Sequence, residues 1–322
     1  MYDRATLEGV AMATELTDPI FTDENAARAH FERLRWPDGP VCPHCGSVDN
    51  ATELKGKSTR PGVHKCRDCR KPFSATIGTL YERSHIPLHK WLLATHLMCA
   101  SKKGMSAHQL FRMLGFGSYR TAWFMAHRIR EGMRELHPEA SGPLGGANKV
   151  VELDESYVGG KARNRKGRIP PKEAVVALVE RDGRVRSHHV ADVTAKTLRP
   201  ILKAQLDSRS YVMTDEGTVY PPITKGFGGH GTVNHSIEEY VRGGFWHTNT
   251  VESYFSLLKR GLTGTYHHVS ARHLKRYLGE FDFRHNERAA LGVDDAKRAR
   301  KAVLGIAGKR LTYRQPDGHA GR

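Results

Sequence analysis

The chain has 322 residues, with 51 Lys and Arg against 34 Asp and Glu, which gives a formal net charge of +17 at pH 7. This length suits two or three domains, and no apolar run reaches the ~20 residues that a membrane-spanning helix needs. The N-terminal residues include acidic side chains and no apolar secretory core, so we do not expect export. Excess positive charge favours a nucleic-acid partner, because basic side chains release counterions from phosphate. We therefore expect a cytoplasmic protein with reduced thiols and no membrane contact.

The first predicted element is an amphipathic helix from Asp23 to Arg35, whose apolar residues share one stripe and which Pro37 ends. This helix belongs to an N-terminal helical segment, residues 1–36. Residues 37–80 then form a turn-rich segment that holds four of the five cysteines. We expect that segment to be a small domain of its own.

The four cysteines form two Cys-x-x-Cys pairs that twenty residues separate. Two such knuckles supply the four thiolates that complete tetrahedral Zn²⁺, whereas a redox pair would need a strand–helix pattern that is missing here. His44 and His64 are alternative ligands, although we expect them in a turn and a loop. Cys99 is expected in a helical core. The sequence therefore predicts a structural zinc ribbon with four ligands: Cys42, Cys45, Cys66 and Cys69.

Residues 81–140 are predicted to be helical. Capping signals and glycine breaks define three helices: Leu88 to Lys102, Ser106 to Leu114 and Ser118 to Glu135. Two helices joined by a glycine-containing turn, with basic residues on the last, are typical of a helix-turn-helix DNA reader. Arg128 and Arg130 on that last helix are candidate DNA contacts. A three-helix bundle without a DNA role is the alternative, because capping indicates helices and not insertion into a groove.

Beyond a linker at residues 141–146, the pattern predicts an α/β domain over residues 146–292. Its predicted strands lie near 150–158, 174–180, 185–193 and 211–214, and its helices lie over 198–206, around Glu252 and over 270–284. Residues 225–244 are rich in Gly and His and are predicted to form a loop with a short helix. Residues 293–322 are expected to be a basic, partly ordered tail.

Three acidic residues stand out in this basic chain: Asp154 and Asp215 each end an apolar run, and Glu252 lies on an amphipathic helix. Carboxylates gathered from separate elements are what a site for two divalent ions needs, and oxygen ligands suit Mg²⁺ or Mn²⁺. The elements follow a ribonuclease-H-like order: a strand with Asp, a hairpin, a helix, a second strand with Asp and a helix with Glu. This order favours Asp154, Asp215 and Glu252 as the metal-binding residues. Three other acidic residues compete with this set: Glu152, Glu155 and Glu216.

Basic side chains accompany the third carboxylate. Lys259 lies seven residues after Glu252, about two helical turns, so both side chains can reach one cleft. We expect Glu252 to bind metal and Lys259 to contact a nearby phosphate. Arg260, next along the helix, and His247, just before it, are further candidate DNA contacts.

Together these motifs resemble bacterial insertion-sequence transposases of the DDE type, from the group with an N-terminal zinc ribbon. The resemblance covers about residues 20–290. Four stretches carry it: Cys42–Cys69, Val151–Lys161 with the sequence VELDESYVGGK, Thr214-Asp215 and His247–Gly261.

The resemblance implies an α/β ribonuclease-H-like catalytic domain of the retroviral-integrase type, preceded by the zinc ribbon and the helix-turn-helix-like segment. It makes Asp154, Asp215 and Glu252 the catalytic residues that bind Mg²⁺ or Mn²⁺, with Asn249 as the alternative third residue and Lys259 as a DNA contact. The implied reaction is cleavage at transposon ends followed by strand transfer. The implied partners are double-stranded DNA, both terminal repeats and target, and further copies of the chain in a homo-oligomer on the nucleoid.

Two other functions stay open at this point. A ribonuclease-H-like nuclease or resolvase would hydrolyse DNA without joining strands. A zinc-ribbon DNA-binding regulator on a decayed transposase scaffold would have lost one of the three carboxylates, and all three are present.

Overall fold

The computed structural model describes four ranges of the chain: residues 15–135, 141–159, 172–233 and 246–312. Parts of several sequence predictions lie outside these ranges: residues 1–14 of the N-terminal segment, 136–140 of the helical segment, 160–161 of the VELDESYVGGK stretch, 234–244 of the predicted loop and 313–322 of the tail. The chain divides into two compact units. The first unit comprises residues 1–133 and 292–322, and the second unit comprises residues 134–291.

The described ranges contain the following elements. The helices are α1 (Glu24–Arg35), α2 (Leu88–Ala100), α3 (Ala107–Met113), α4 (Tyr119–Met133), α5 (Ala195–Gln205), α6 (Tyr220–Thr224), α7 (Asn249–Gly261), α8 (Ala271–Asn286) and α9 (Asp295–Leu304). The strands are β1 (Ala51–Glu53), β2 (His64–Cys66), β3 (Pro72–Phe73), β4 (Val150–Val158), β5 (Glu173–Glu180), β6 (Val185–Val190), β7 (Tyr211–Thr214) and β8 (Gly229–Thr232). None of these helices is both long and apolar enough to cross a membrane.

Local capping explains where the helices of the first unit begin. The Asp23 side chain accepts a hydrogen bond from the backbone N–H of Ala26, and Ser106 caps α3 in the same way through Gln109 N. Gly115 follows α3 with φ of +60°, a left-handed conformation that glycine adopts without strain. The four helices predicted between residues 23 and 135 are therefore present, with ends displaced by no more than about one turn.

The C-terminal residues differ from the basic tail that the sequence predicts. Residues 295–304 form α9, which packs against α2 and α4 within the first unit. The helix buries a narrow stripe of small side chains, among them Ala299 and Ala302, while Lys297 and Lys301 stay exposed. Small residues between basic ones give only a weak apolar periodicity, so this helix is not predicted from the sequence.

The cysteine-rich segment folds as a three-stranded antiparallel sheet in the order β1-β2-β3. His64, on β2, packs its ring against the rings of Trp36 and Phe73, with centroids 5.5 and 5.7 Å away. Trp36 directly follows α1, so these rings join the ribbon to that helix. His64 is thus a packing residue of the ribbon.

The second unit is built on a five-stranded mixed sheet in the order β6-β5-β4-β7-β8. Strands β4, β5 and β6 form an antiparallel meander, whereas β7 pairs in parallel with both β4 and β8. The strands β4 and β7 have the predicted limits, 150–158 and 211–214. This unit is the α/β mixed-sheet domain that the sequence predicts.

Strand β8 lies where the sequence analysis predicts a loop. Residues 229–232 pair with all four residues of β7 at the edge of the sheet. The glycines fit this edge because aromatic rings occupy the space of a side chain: a Cβ on Gly231 would lie 1.8 Å from the Trp246 ring, and one on Gly229 would lie 2.4 Å from the Tyr211 ring. Glycine usually weakens a strand, which is why the pattern favours a loop.

Alternation along β4 sends its side chains to two different faces of the sheet. Val151 and Leu153 enter a core formed with α5 and α6. The opposite face of the sheet packs against α7 and α8, through β5 residues such as Ala177 that pair with β4. Glu152 and Asp154 therefore lie on the α7 face.

A half-buried carboxylate fastens α7 and α8 to the sheet. Asp282, on α8, accepts hydrogen bonds from the Tyr254 hydroxyl of α7 at 2.5 Å and from the backbone N–H of Ser187 on β6 at 3.0 Å. Burial raises the pKa of Asp282 to about 6, although these donors act in the opposite direction. The folded chain therefore holds this proton at pH values where the unfolded chain has released it.

The substitution Asp282→Asn tests whether the carboxyl of Asp282 stays protonated in the folded chain at pH values above 4. A raised folded-state pKa favours folding below the unfolded pKa near 4, and this advantage is lost as the pH rises through about 6. We expect the difference in unfolding free energy, wild type minus variant, to fall by roughly 2 kcal/mol between pH 4 and pH 7. Urea titrations of both proteins across this range measure it. Parallel pH dependences of the two proteins would contradict the shift.

Candidate active site and zinc centre

The two cysteine knuckles converge on one point in the first unit. The four thiol sulfurs lie within 4.8 Å of one another, and the Sγ–Sγ distances of Cys42–Cys69 and Cys45–Cys66 are both 3.6 Å. Tetrahedral Zn²⁺ with bonds of about 2.3 Å requires sulfur–sulfur distances of roughly 3.8 Å. The four cysteines therefore fit a structural zinc site, in which protein ligands fill all four coordination positions.

Backbone contacts favour the thiolate form of Cys66, whereas, against a backbone hydrogen bond from Ser47, burial and the neighbouring thiols raise the pKa of Cys45 to about 12. Hydrogen bonds from the backbone N–H groups of Cys69 and Asp68 lower the pKa of Cys66 to about 7, against the effect of burial. His44 does not join the cluster, since its Nε2 lies 3.3 Å from the Pro72 carbonyl oxygen. The described part of the chain holds no other group of three or more Cys, His, Asp or Glu ligands this close together.

In the second unit, the register of β4 and β7 brings two predicted site residues side by side. Glu152 lies opposite Met213 in this parallel pair. The same register continued by two residues puts Asp154 beside Asp215, just beyond the end of β7. Oδ1 of Asp215 accepts a hydrogen bond from Gly217 N at 2.9 Å, which fixes the turn after the strand.

Negative charge accumulates around Asp154. The pKa of its half-buried carboxyl is raised to about 7, first by burial and then by the nearby carboxylates of Glu155, Asp215 and Glu252. The oxygens of Asp154, Asp215 and Glu252 do not all come within 4.8 Å of one another. The three predicted residues therefore share one electrostatic environment, with a wider spacing than the ligand set of a single ion.

Helix α7 presents the remaining predicted residues on its exposed side. Glu252 is exposed, and its Oε1 accepts a hydrogen bond from the Thr248 hydroxyl at 2.8 Å. Asn249, the first residue of the helix, is also exposed and lies about one turn before Glu252. Lys259 and Arg260 are exposed in the last turn. Glu252 acts electrostatically on Asp154, so the helix brings a third carboxylate toward the strand pair.

Of the three competing acidic residues, Glu155 lies near Asp154 and is hydrogen-bonded to a tyrosine. It accepts a hydrogen bond from the hydroxyl of Tyr220 on α6. Burial and this carboxylate raise the pKa of Tyr220 well above its ordinary value. Glu216 is exposed in the turn after Asp215.

Glu152 is the residue whose role sequence reasoning misses. Its side chain is completely buried, and its carboxylate accepts hydrogen bonds from the first turn of α7 and from Arg181. A glutamate inside an apolar strand, two residues before a candidate catalytic aspartate, is the signal that could have found it. The sequence alone offers no partner for it, because those donors lie 29 and about 98 residues further along the chain.

Two of the histidines, His247 just before α7 and His230 on β8, are half-buried. Nδ1 of His247 lies 3.2 Å from Oε1 of Glu152, without the alignment of a hydrogen bond. The His247 carbonyl accepts a hydrogen bond from Arg181, so this residue helps to fix the start of the helix. His230, on β8, lies 3.0 Å from the hydroxyl of Thr214, next to Asp215.

The two predicted DNA contacts on α4 are both withdrawn, fully or in part, from the surface. Arg130 is 1% exposed, so its side chain is buried within the first unit, in which α4 packs against α2 and α9. Arg128 is half-buried over the ring of Phe124, and burial lowers its pKa. The exposed part of α4 is its beginning, at Tyr119 and Arg120.

Comparison with known proteins identifies both units. Residues 143–286, which include Asp154, Asp215 and Glu252, match the family model of the ISXO2-like transposase domain. Residues 22–72, which include all four clustered cysteines, match that of the transposase zinc-ribbon domain. An uncharacterized protein in transposable element ISH50 of Halobacterium salinarum is 27% identical over 287 residues, which cover 82% of this chain and 91% of that relative. Two ranges of the chain thus match domain families of transposases, which confirms the resemblance predicted from its motifs.

Proposed function

We propose that this chain is the DNA transposase of an insertion sequence, which binds the ends of its element and catalyses metal-dependent strand cleavage and strand transfer. The observation that carries the proposal is the register of β4 and β7, which supports Asp154 and Asp215 as neighbours at the end of two parallel strands. Helix α7 adds Glu252 to them. We propose that the second unit is ribonuclease-H-like, since its meander, helix, parallel strand and later helix follow that order.

The residues around Asp154 fit a divalent metal. Their donors are carboxylate oxygens, which Mg²⁺ and Mn²⁺ prefer. The raised pKa of Asp154 supports a cation here, because bound positive charge would offset the repulsion from the neighbouring carboxylates. Two such ions, held by Asp154, Asp215 and Glu252, would supply an activated attacking oxygen and a stabilised leaving oxygen.

Other groups of the chain would hold the DNA. Lys259 and Arg260, exposed about two turns beyond Glu252, would bind backbone phosphates beside the carboxylates. No covalent protein–DNA intermediate is needed, because cleavage and transfer are both in-line phosphoryl transfers. Joining two ends further predicts a homo-oligomer on DNA.

The first unit supplies a second DNA surface, centred on α3 and the start of α4. Residues 83–130 contain eight Lys and Arg and no Asp or Glu. Four of these basic side chains are exposed around α3 and its flanking turns: Lys102, Lys103, Arg112 and Arg120. Tyr119, 41% exposed, stacks on His108 at a centroid distance of 4.4 Å and adds an aromatic contact. A reading helix contacts bases through its first residues, which matches the exposed part of α4.

The catalytic proposal predicts a defined pattern of losses. With Mg²⁺ and DNA carrying the ends of its own element, Asp154→Asn and Asp215→Asn lower cleavage by about 100-fold or more, because each removes a metal ligand. We expect Glu252→Gln to do the same and Asn249→Ala to retain most activity. A gel assay that resolves both cleaved and joined strands provides the measurement.

Zinc content and melting temperature, matched to the wild type, are the controls for folding. Full activity of a folded Asp154→Asn or Asp215→Asn protein would refute the assignment. Loss in Asn249→Ala with retention in Glu252→Gln would make Asn249 the third residue. Cleavage without any joined product would instead indicate a nuclease or resolvase.

The DNA surface is tested by the double variant Arg112→Ala/Arg120→Ala. Each lost phosphate contact reduces the slope of log affinity against log salt by about 1, so we expect a reduction of about 2 and weaker binding of terminal-repeat DNA. The matched control, Lys297→Ala/Lys301→Ala, removes the same charge from the exposed side of α9. Equal weakening by both pairs, measured by fluorescence anisotropy over a range of salt, would show only a general charge effect.

A further inference from the structure

Glu152 sits at the point where β4 meets the start of α7. One carboxylate oxygen, Oε2, accepts hydrogen bonds from the backbone N–H groups of Thr250 and Val251 at 2.8 and 2.9 Å. The other, Oε1, accepts from the Thr250 hydroxyl at 2.9 Å and from Nε of Arg181 at 2.7 Å. With 0% exposure, the carboxylate has exchanged water for these donors.

These contacts replace the cap that α7 lacks within its own sequence. The first N–H groups of a helix have no partner inside the helix. The N-cap residue Thr248 makes no side-chain capping bond, because its hydroxyl donates to Glu252 instead. The cap therefore comes from another element, strand β4, and a carboxylate there also interacts favourably with the helix dipole.

Arg181 makes this connection two-sided. Its Nη2 donates to the carbonyl oxygen of His247 at 2.8 Å, just ahead of the helix. Its backbone N–H donates to the carbonyl oxygen of Val150 at the start of β4, at 3.0 Å. The hairpin turn after β5 thus holds both the strand and the segment that leads into α7.

We propose that Glu152 is a positioning residue that sets where Glu252 stands relative to Asp154; this inference rests on the proposed function. Glu152 and Asp154 lie on the same face of β4, two residues or about 7 Å apart. Thr250 and Val251 immediately precede Glu252 in the chain. A single buried carboxylate therefore ties the strand with one proposed metal ligand to the helix turn with another.

The rest of α7 has independent anchors. Tyr254 bonds Asp282 at 2.5 Å, and Phe255 and Leu258 enter the core beneath the helix. Losing the Glu152 contacts should therefore release the first turn without unfolding the unit. This separation of roles makes a positioning function testable.

Glu152→Gln keeps the size of the side chain and disturbs its contacts. An amide offers one acceptor oxygen, and its NH₂ group must face either the two backbone N–H groups or the Thr250 and Arg181 donors. We expect Mn²⁺ affinity at the Asp154 site to fall by about 10-fold or more, in the range seen when partners of metal ligands are removed. Free Mn²⁺ in titrations of the zinc-loaded protein, measured by electron paramagnetic resonance without DNA, gives this affinity directly.

Coupling to Glu252 separates positioning from general weakening. If Glu152 acts through Glu252, the Glu152→Gln/Glu252→Gln double variant binds Mn²⁺ as weakly as Glu252→Gln alone. The matched control is Glu280→Gln. Glu280 lies on α8, is as buried as Glu152 and is likewise paired with an arginine, Arg284. It also accepts a hydrogen bond from Tyr266 instead of from the start of α7. This control should leave Mn²⁺ affinity unchanged.

The outcomes distinguish the two proposals. Unchanged Mn²⁺ affinity in folded Glu152→Gln, or additive losses in the double variant, would overturn the positioning role alone. Wild-type protein without Mn²⁺ binding that depends on Asp154 would overturn the proposed function itself. Should Glu152→Gln fail to fold, Thr250→Val removes one donor to the same carboxylate, and it must weaken Mn²⁺ binding only when Glu252 is present.

Discussion

Strand β4 pairs with the parallel strand β7 over only three residues, and that short register decides which side chains meet beyond it. Because successive side chains of a strand point to opposite faces, a slip of one residue would turn Asp215 away from Asp154. Two features hold β4 in place. It pairs with β5 along eight residues, and it commits Val151 and Leu153 to the core under α5 and α6.

The third carboxylate comes from a helix, so its position depends on how α7 is fastened. Glu152 holds the first turn, and Asp282 holds the middle through Tyr254. Glu152 is buried and Asp282 is half-buried, and several donors offset the hydration that each carboxylate loses. Withdrawing a carboxylate from water in this way costs folding free energy. The cost is explained if α7 must be held firmly enough to keep Glu252 close to strands whose carboxylates already repel one another.

Local patterns predicted much of this architecture. Apolar runs and turn signals gave the limits of β4 and β7, an apolar stripe ended by proline predicted α1, and capping residues predicted α3 and α4. The spacing of the cysteines predicted the cluster that the structure contains. Contacts between residues distant in sequence could not be predicted: the partners of Glu152, the packing of the alanine stripe of α9, and the burial of Arg130 on α4. Sequence patterns predict that an arginine on a helix is exposed, and only the tertiary structure shows that it is buried.

Crystals of the zinc-loaded protein with Mn²⁺ would test the central claim, that Asp154, Asp215 and Glu252 form one metal site. Anomalous scattering recorded at the manganese edge locates the ions directly. The account predicts two manganese peaks about 3.5–4 Å apart, contacted by these three carboxylates. Manganese that binds elsewhere, or a site that includes Asp154 and Asp215 but leaves Glu252 pointing into solvent, would contradict it.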